Sequence, residues 1–227
     1  MGRRFPFALF AFAVPCVLGV PGTAHADEAI PVPGKRMGED HTYGRLEGDV
    51  TLVGGVGASF GPTAPRATAE VRARYLDTAG IFVAYEDGTL FESASEPRRL
   101  LAFGLELRAL FLARLAKGWE LGSPWADLTL DSFGLEIGAT FAQPIGGSFG
   151  SRAGLQTGVG LEVPVLGRAT GPWVGFHGGL RLGDSALSSG DVKTPIDRSL
   201  YLSITLSWHH VVLTHVVDVG DRAPRRD

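Results

Sequence analysis

RATAEVRARYL, residues 66–76, alternates without a slip. Arg66, Thr68, Glu70, Arg72 and Arg74 fall on one face, and Ala67, Ala69, Val71, Ala73 and Tyr75 on the other. A strict period of two marks an extended strand with unlike faces. In a soluble sheet the charges meet water and the alanines are buried. In a barrel that spans lipid the charges point to the axis and the alanines face outward. The segments around it decide between the two.

Seven more runs share the period. RLEGDVTLVGGVGASF (45–60) sets Leu46, Val50, Leu52, Val56, Ala58 and Phe60 against Glu47, Asp49, Thr51 and Ser59, with Gly55 and Gly57. IFVAYE (81–86) puts Ile81, Val83 and Tyr85 together. LLAFGLELRALFLAR (100–114) has apolar residues at every odd position from Leu101 to Ala113, with Glu106, Arg108 and Arg114 opposite. Leu100, Phe103, Leu107, Leu110 and Phe111 also satisfy a helical stripe, and Leu, Ala and Arg favour helices. The company of strands makes a strand the expectation. SFGLEIGATFA (132–142) follows, with DLTLD (127–131) as its extension through a bulge near Ser132. SRAGLQTGVGLEV (151–163), GPWVGFHGGLRLG (171–183) and RSLYLSITLSWH (198–209) complete the set. Most exceed the ~5–6 residues usual for a strand and reach the ~9–11 that a tilted strand needs to cross a bilayer core.

The polar faces carry almost no Lys and much Gly, Ser and Thr, among isolated Arg and Glu. A narrow lumen filled by side chains interleaves large residues with absent ones in this way. Pairing Phe60 with Ala67 sets Arg72 opposite Gly55 and Glu70 opposite Gly57. The inward charges are then Glu47, Asp49, Glu70, Arg72, Arg74, Glu106, Arg108, Glu136, Glu162 and Arg181. Their mixed signs predict a paired network, since an isolated charge in a narrow interior is costly. Aromatics recur near run ends, at Phe60, Tyr75, Tyr85, Phe133, Phe141, Trp173 and Trp208, where interfacial girdles belong. The expected fold is all-β: an eight-stranded antiparallel up-and-down transmembrane β-barrel with a structural lumen network.

The flanks fit that reading. Residues 1–26 have the parts of a signal peptide: Arg3 and Arg4, an apolar run, and Ala24-His25-Ala26 before Asp27. Their removal takes two of the 21 basic residues, none of the 24 acidic ones and the single cysteine, Cys16, leaving a charge balance of −5. That balance gives no electrostatic case for nucleic acid. Residues 27–44 read as an extended periplasmic leader, 45–217 as the barrel and 218–227 as a polar tail. Loops 61–66, 87–99, 143–151 and 183–199 would face outward, and the longer loop 115–131 would face the periplasm. Within it, LAKGWELGSPW (115–125) would lie at the membrane interface, anchored by Trp119 and Trp125.

Residues 45 to about 210 resemble, in architecture, the small eight-stranded outer-membrane barrels of the OmpA/OmpX type. DLTLDSFGLEIGATFAQPIGGSFG (127–150) and GVGLEVPVLGRATGPWVGF (158–176) also resemble uncharacterised envelope proteins of GC-rich Gram-negative bacteria. The resemblance implies an outer-membrane location and a structural or surface-interaction role. Its partners would be outer-membrane lipid and, during biogenesis, the barrel-assembly machinery, and the barrel would be a monomer. One departure concerns the C-terminus. Such barrels commonly finish on an aromatic residue, whereas HHVVLTHVVDVGDRAPRRD follows Trp208 here, so the closing strand would run to about Val217 or leave a tail.

Two other classes fit an exported all-β chain. A lipid-modifying envelope enzyme would rely on Ser207 and His209, the one Ser/His pair on a shared face. In the lipid A deacylases the order is His-x-Ser and the pair faces lipid, so a hydrogen-bonded lumen pair is the expectation and no catalytic residue is assigned. A soluble periplasmic barrel would hold an apolar ligand instead. His209, His210 and His215 cluster, with His177 in the adjacent run, but alternation turns His210 away from His209, His177 pairs nearer the far end of the last strand, and no carboxylate lies at metal-site spacing. No metal and no cofactor is expected.

Overall fold

The computed structural model describes residues 43–91, 96–188 and 197–214. The expected signal peptide (1–26), nearly all of the expected leader, His215 and the expected tail at 218–227 lie outside these. The strands are β1 (Val50–Phe60), β2 (Arg66–Tyr75), β3 (Ala79–Asp87), β4 (Arg99–Leu107), β5 (Gly134–Gln143), β6 (Arg152–Pro164), β7 (Gly171–Gly183) and β8 (Arg198–Val212). Each pairs antiparallel with the next, and β8 pairs back onto β1, closing an eight-stranded up-and-down barrel. The fold class is the one that the alternation predicts.

The quoted stretch answers its own question. Arg66, Thr68, Glu70, Arg72 and Arg74 are all buried inside, while Val71 is 64 % exposed on the outer wall. The same sense holds elsewhere: Val56, Ile81, Leu105, Leu135, Ile137, Leu202 and Leu206 face outward, and Glu86, Glu106, Glu136, Glu162 and Arg181 face inward. The interior does contain one apolar layer, Phe82, Leu100 and Ala102 with Ala84 beside them, on the β3–β4 wall.

Four expectations are corrected. The first hairpin is displaced by two residues: Ala67 lies opposite Ala58, Arg72 opposite Val53, and Glu70 opposite Gly55. A shift of two preserves every face, which is why the pattern could not detect it. The segment 100–114 is a strand only to Leu107; α1 (Ala109–Lys117) follows. DLTLD is no strand extension but the end of α2 (Pro124–Asp131), with Pro at the start of the helix after Ser123. The strand stops where its pairing stops, because Leu107 opposite Leu135 is the last β4–β5 pair. Beyond it the chain must satisfy its own backbone, and a helix does so. Finally, Glu47 lies before β1 and is exposed rather than inward.

Interior glycines let the strands crowd. A Cβ on Gly104 would overlap the Ile137 carbonyl and Gly138 Cα, and one on Gly138 would overlap the Phe103 carbonyl. The two glycines are register partners on β4 and β5. At the seam, Asp49 N–H donates to the Val212 carbonyl (3.1 Å). The Asp49 carboxylate accepts from Thr214 N–H (2.6 Å) and Thr214 Oγ1 (2.8 Å). β8 ends at Val212, and the expected continuation to Val217 lies, from residue 215 on, outside the described residues.

Candidate functional site

The interior charges form two groups along the axis. The larger centres on Arg72, which is 2 % exposed. Its Nε and Nη2 donate to Glu70 Oε2 (3.1 and 2.8 Å), and its Nη1 to Glu106 Oε2 (3.0 Å) and Glu136 Oε1 (2.6 Å). Arg74 Nε donates to both Glu106 oxygens (3.1 Å each) and its Nη2 to Glu162 (2.8 Å). Arg108, just past β4, donates to Glu106 Oε1 (2.9 Å), Asp77 Oδ1 (3.2 Å) and Glu162 Oε2. Glu70 accepts a further bond from Thr205 Oγ1 (2.7 Å). His177 Nδ1 lies 2.8 Å from Glu136 Oε1. Period 2 places these groups: β2, β4, β5, β6 and β7 each turn one polar face to the axis. Glycine makes the room, since a Cβ on Gly160 would crowd both His177 and Glu136, and one on Gly55 would crowd Glu70.

The smaller group lies toward the opposite end. Glu86 accepts from Arg66 Nε (2.8 Å) and from Arg181 Nη1 (3.0 Å) and Nη2 (2.6 Å). Arg181 Nε donates to Gln156 (2.8 Å), and its guanidinium lies 4.1 Å above the Tyr201 ring. Phe82 separates the groups on one wall and receives the Arg72 guanidinium at 5.4 Å. Arg66 lies on the face of 66–76 that the barrel reading turns inward, and Glu86 is a member that the expected inward set lacks. The signal was present: Glu86 has the parity of Phe82 and Ala84, opposite Ile81, Val83 and Tyr85.

A third polar cluster closes the end that carries the β2–β3 and β6–β7 turns. Arg114 of α1 pairs with Asp131 (2.7 Å) and with Asp127, and Arg45 pairs with Asp131 (2.5 Å). Tyr43 Oη donates to Asp127 (3.0 Å), and Leu121 N–H donates to the same carboxylate (2.9 Å). Arg45 also sits 4.5 Å above the Phe111 ring. Burial acts to raise the Asp127 pKa, but the Leu121 N–H, the bonds from Arg114 and Tyr43 and the Arg114 charge outweigh it and hold the carboxyl below its usual range. Burial first, and then the bond to Asp127, push the Tyr43 phenol up to about 12. The cluster does not follow from the sequence expectation, which makes 100–114 a strand and 115–131 a loop where the structure has α1 and α2.

Of the aromatics expected in a girdle, Phe60, Tyr75, Tyr85, Phe133 and Trp208 face outward. Trp173 does not. It is 2 % exposed, stacks on His209 inside the barrel (4.4 Å between centroids) and donates from Nε1 to the Ala169 carbonyl (3.1 Å). Its parity with His177 already placed it on the inner face.

Ser207 and His209 both lie inside the barrel, away from the outer wall. Ser207 Oγ and His209 Nε2 have no hydrogen-bond partner, so the imidazole does not engage the hydroxyl. Activation of a serine nucleophile requires that bond. His210 faces outward, opposite to His209. Among the described residues no group of three or more His, Cys, Asp and Glu side chains could hold a metal ion.

No protein-family model matches the chain, and no curated protein matches it. A solved structure that it resembles is the crystal structure of Ail, the attachment invasion locus protein of Yersinia pestis, in complex with the heparin analogue sucrose octasulfate. The two are 10 % identical, the likeness covers 71 % of this chain and 97 % of that one, and the TM-score is 0.33.

Proposed function

We propose that this chain is an outer-membrane β-barrel with a structural or surface-interaction role, its lumen filled by a charged network. The inverted polarity of a closed barrel carries the reading. Large apolar side chains cover the outer wall, with Val56 and Val71 each 64 % exposed and Leu200 74 % exposed, while arginines and glutamates fill the inside. In water that wall would be an unbroken apolar patch far beyond the few hundred Å² a soluble monomer tolerates. In lipid it costs nothing, and the ion pairs are shielded within. The outward aromatics at Phe60, Tyr75, Tyr85 and Phe133 sit at or near strand ends and suit the two water–lipid boundaries, while Trp208, opposite Gly54 and four residues inside the end of β8, lies on the outer wall between them.

On this reading residues 1–26 are the export signal, 27–44 a periplasmic leader and 218–227 a polar tail. Outer-membrane lipid and the barrel-assembly machinery are the partners. Closure leaves no strand edge to recruit a second copy, which suits a monomer. A surface-interaction role is favoured by the connections at the end away from the β2–β3 turn, where Leu90, Ile145, Phe149 and Leu187 are exposed. A soluble barrel for an apolar ligand needs the opposite lining.

The test is cell fractionation followed by electrophoresis of unheated and boiled samples. The expected protein needs detergent for extraction and changes mobility on boiling. A protein recovered in aqueous buffer, with one mobility, would refute the proposal.

A further inference from the structure

The segment between β4 and β5 repeats in helical form the inversion seen in the strands. α1 turns Phe111 and Arg114 inward, and α2 turns Asp127, Leu128 and Asp131 inward. The outward positions are Leu110, Leu112, Trp119, Leu121, Trp125 and Leu130, from 38 % to 64 % exposed. A helix pair capping a barrel in water would point its acids outward and its leucines in. The knot of Arg45, Arg114, Asp127 and Asp131 holds the polar residues within, so the pair cannot turn over without stranding four buried charges.

We propose that this hairpin is a membrane-seated foot: its apolar face lies in the headgroup–acyl boundary of the phospholipid leaflet at that end of the barrel. The proposal rests on the outer-membrane reading and adds a second contact with lipid. Continuity with the outer wall supports it. Leu107 at the end of β4 leads to Leu110, and Leu130 leads through Phe133 to β5, all of them exposed. The Trp125 indole lies against Gly167 in the β6–β7 turn, beside the exposed Val165 and Leu166. The chemistry suits the boundary as well. Lys117 Nζ sits 4.5 Å above the Trp119 ring, and Lys117 and Arg168 are exposed where lipid phosphates would lie. An indole beside a lysine is a natural occupant of that layer, apolar in body and polar at the tip.

The test uses the full chain reconstituted in vesicles of phosphatidylethanolamine and phosphatidylglycerol. The vesicles carry phosphatidylcholine spin-labelled either at the headgroup or at mid-chain. Tryptophan quenching is compared for the parent, Trp208→Phe, and the pair Trp119→Phe with Trp125→Phe, each checked for the parent's unheated mobility. Trp119 and Trp125 are two of four tryptophans, and Trp173 is enclosed. The pair should therefore lose at least half of the headgroup-label quenching and keep the mid-chain quenching. Trp208→Phe should lose most of the mid-chain quenching. If Trp208→Phe changes nothing because no mid-chain quenching exists, the outer-membrane reading falls and the foot with it. If Trp208 is quenched but the pair leaves headgroup quenching unchanged, the foot alone is overturned. Should the phenylalanine pair not fold, tyrosine at both positions gives the same readout with excitation at the tryptophan edge.

Discussion

Replacing Arg72 by Met removes a guanidinium that serves three carboxylates at once. What each carboxylate retains sets the cost. Glu106 keeps Arg74 and Arg108, and Glu136 keeps His177. Glu70 keeps only the Thr205 hydroxyl as a hydrogen-bond donor, with His177 Nε2 3.9 Å away. Removing one partner from a buried ion pair costs about 3–5 kcal/mol, because the other charge is left uncompensated. Glu70 is that orphan, so most of the penalty should disappear when Glu70→Gln is combined with Arg72→Met. The double variant should cost about 1–2 kcal/mol, the scale of lost hydrogen bonds and packing. Glu70→Gln alone should cost about 1 kcal/mol, since Arg72 still has two carboxylates. Urea unfolding from lipid vesicles, followed by tryptophan emission, measures all three. With a slope of about 2 kcal/mol per molar urea, the single variant should lose roughly 2 M of midpoint and the double under 1 M. A double variant as unstable as Arg72→Met would refute the argument that an orphaned Glu70 carries the cost.

Three further outcomes follow from the geometry. Ala at Gly104 or Gly138 should abolish the folded, unheated band on a gel, because the new Cβ meets the facing strand's backbone, whereas Gly54→Ala, with open space around it, should leave that band unchanged. The knot that holds α1 against α2 should weaken in acid. Asp127 titrates below its ordinary 3.8, so its contribution is complete above about pH 4 and is lost as pH falls through the folded value. The emission maximum of Trp119 and Trp125, read in the Trp208→Phe background, should shift below about pH 4 and, in Asp127→Asn, should already be shifted at pH 7. At the alkaline end, Tyr43 is raised from 10 to about 12, so its share is intact below pH 10 and lost as pH rises through about 12. Tyr43→Phe should flatten that alkaline limb of the emission profile.

How much was legible depended on whether the deciding physics was local. Which residues share a face of a strand needs only the period of the sequence, and the Lys-poor, Gly-rich composition of the polar faces turns them to the axis, so Arg72, Glu106 and Glu136 could be assigned to the interior without coordinates. Register is not local in that sense: a slip of two leaves every face intact, and only the five-residue connection at 61–65 distinguishes Ala58 from Phe60 as the partner of Ala67. The region after Leu107 carries apolar residues at both helical and strand spacing, so its fate was set by where β5 begins, not by its own pattern. Ser123-Pro124, a helix-start signal, was the one local clue. Trp173 shows the reverse error, a general preference of aromatics for boundaries overriding a parity that was already correct.

The seam between β1 and β8 joins residues 50 and 212, while every other pairing joins neighbours along the chain. Closing so long a stretch of chain costs about 2 kcal/mol more than closing one of ~20 residues, since each doubling adds ~0.6 kcal/mol. The seven hairpins can zip in sequence, but the circle must wait for its last strand. A ribosome-stalled or C-terminally clipped chain would thus present two unsatisfied ladders, one at each end of a curved, seven-stranded ribbon. Ring completion is an event of the finished polypeptide, and quality control that senses open ladders would read completeness directly.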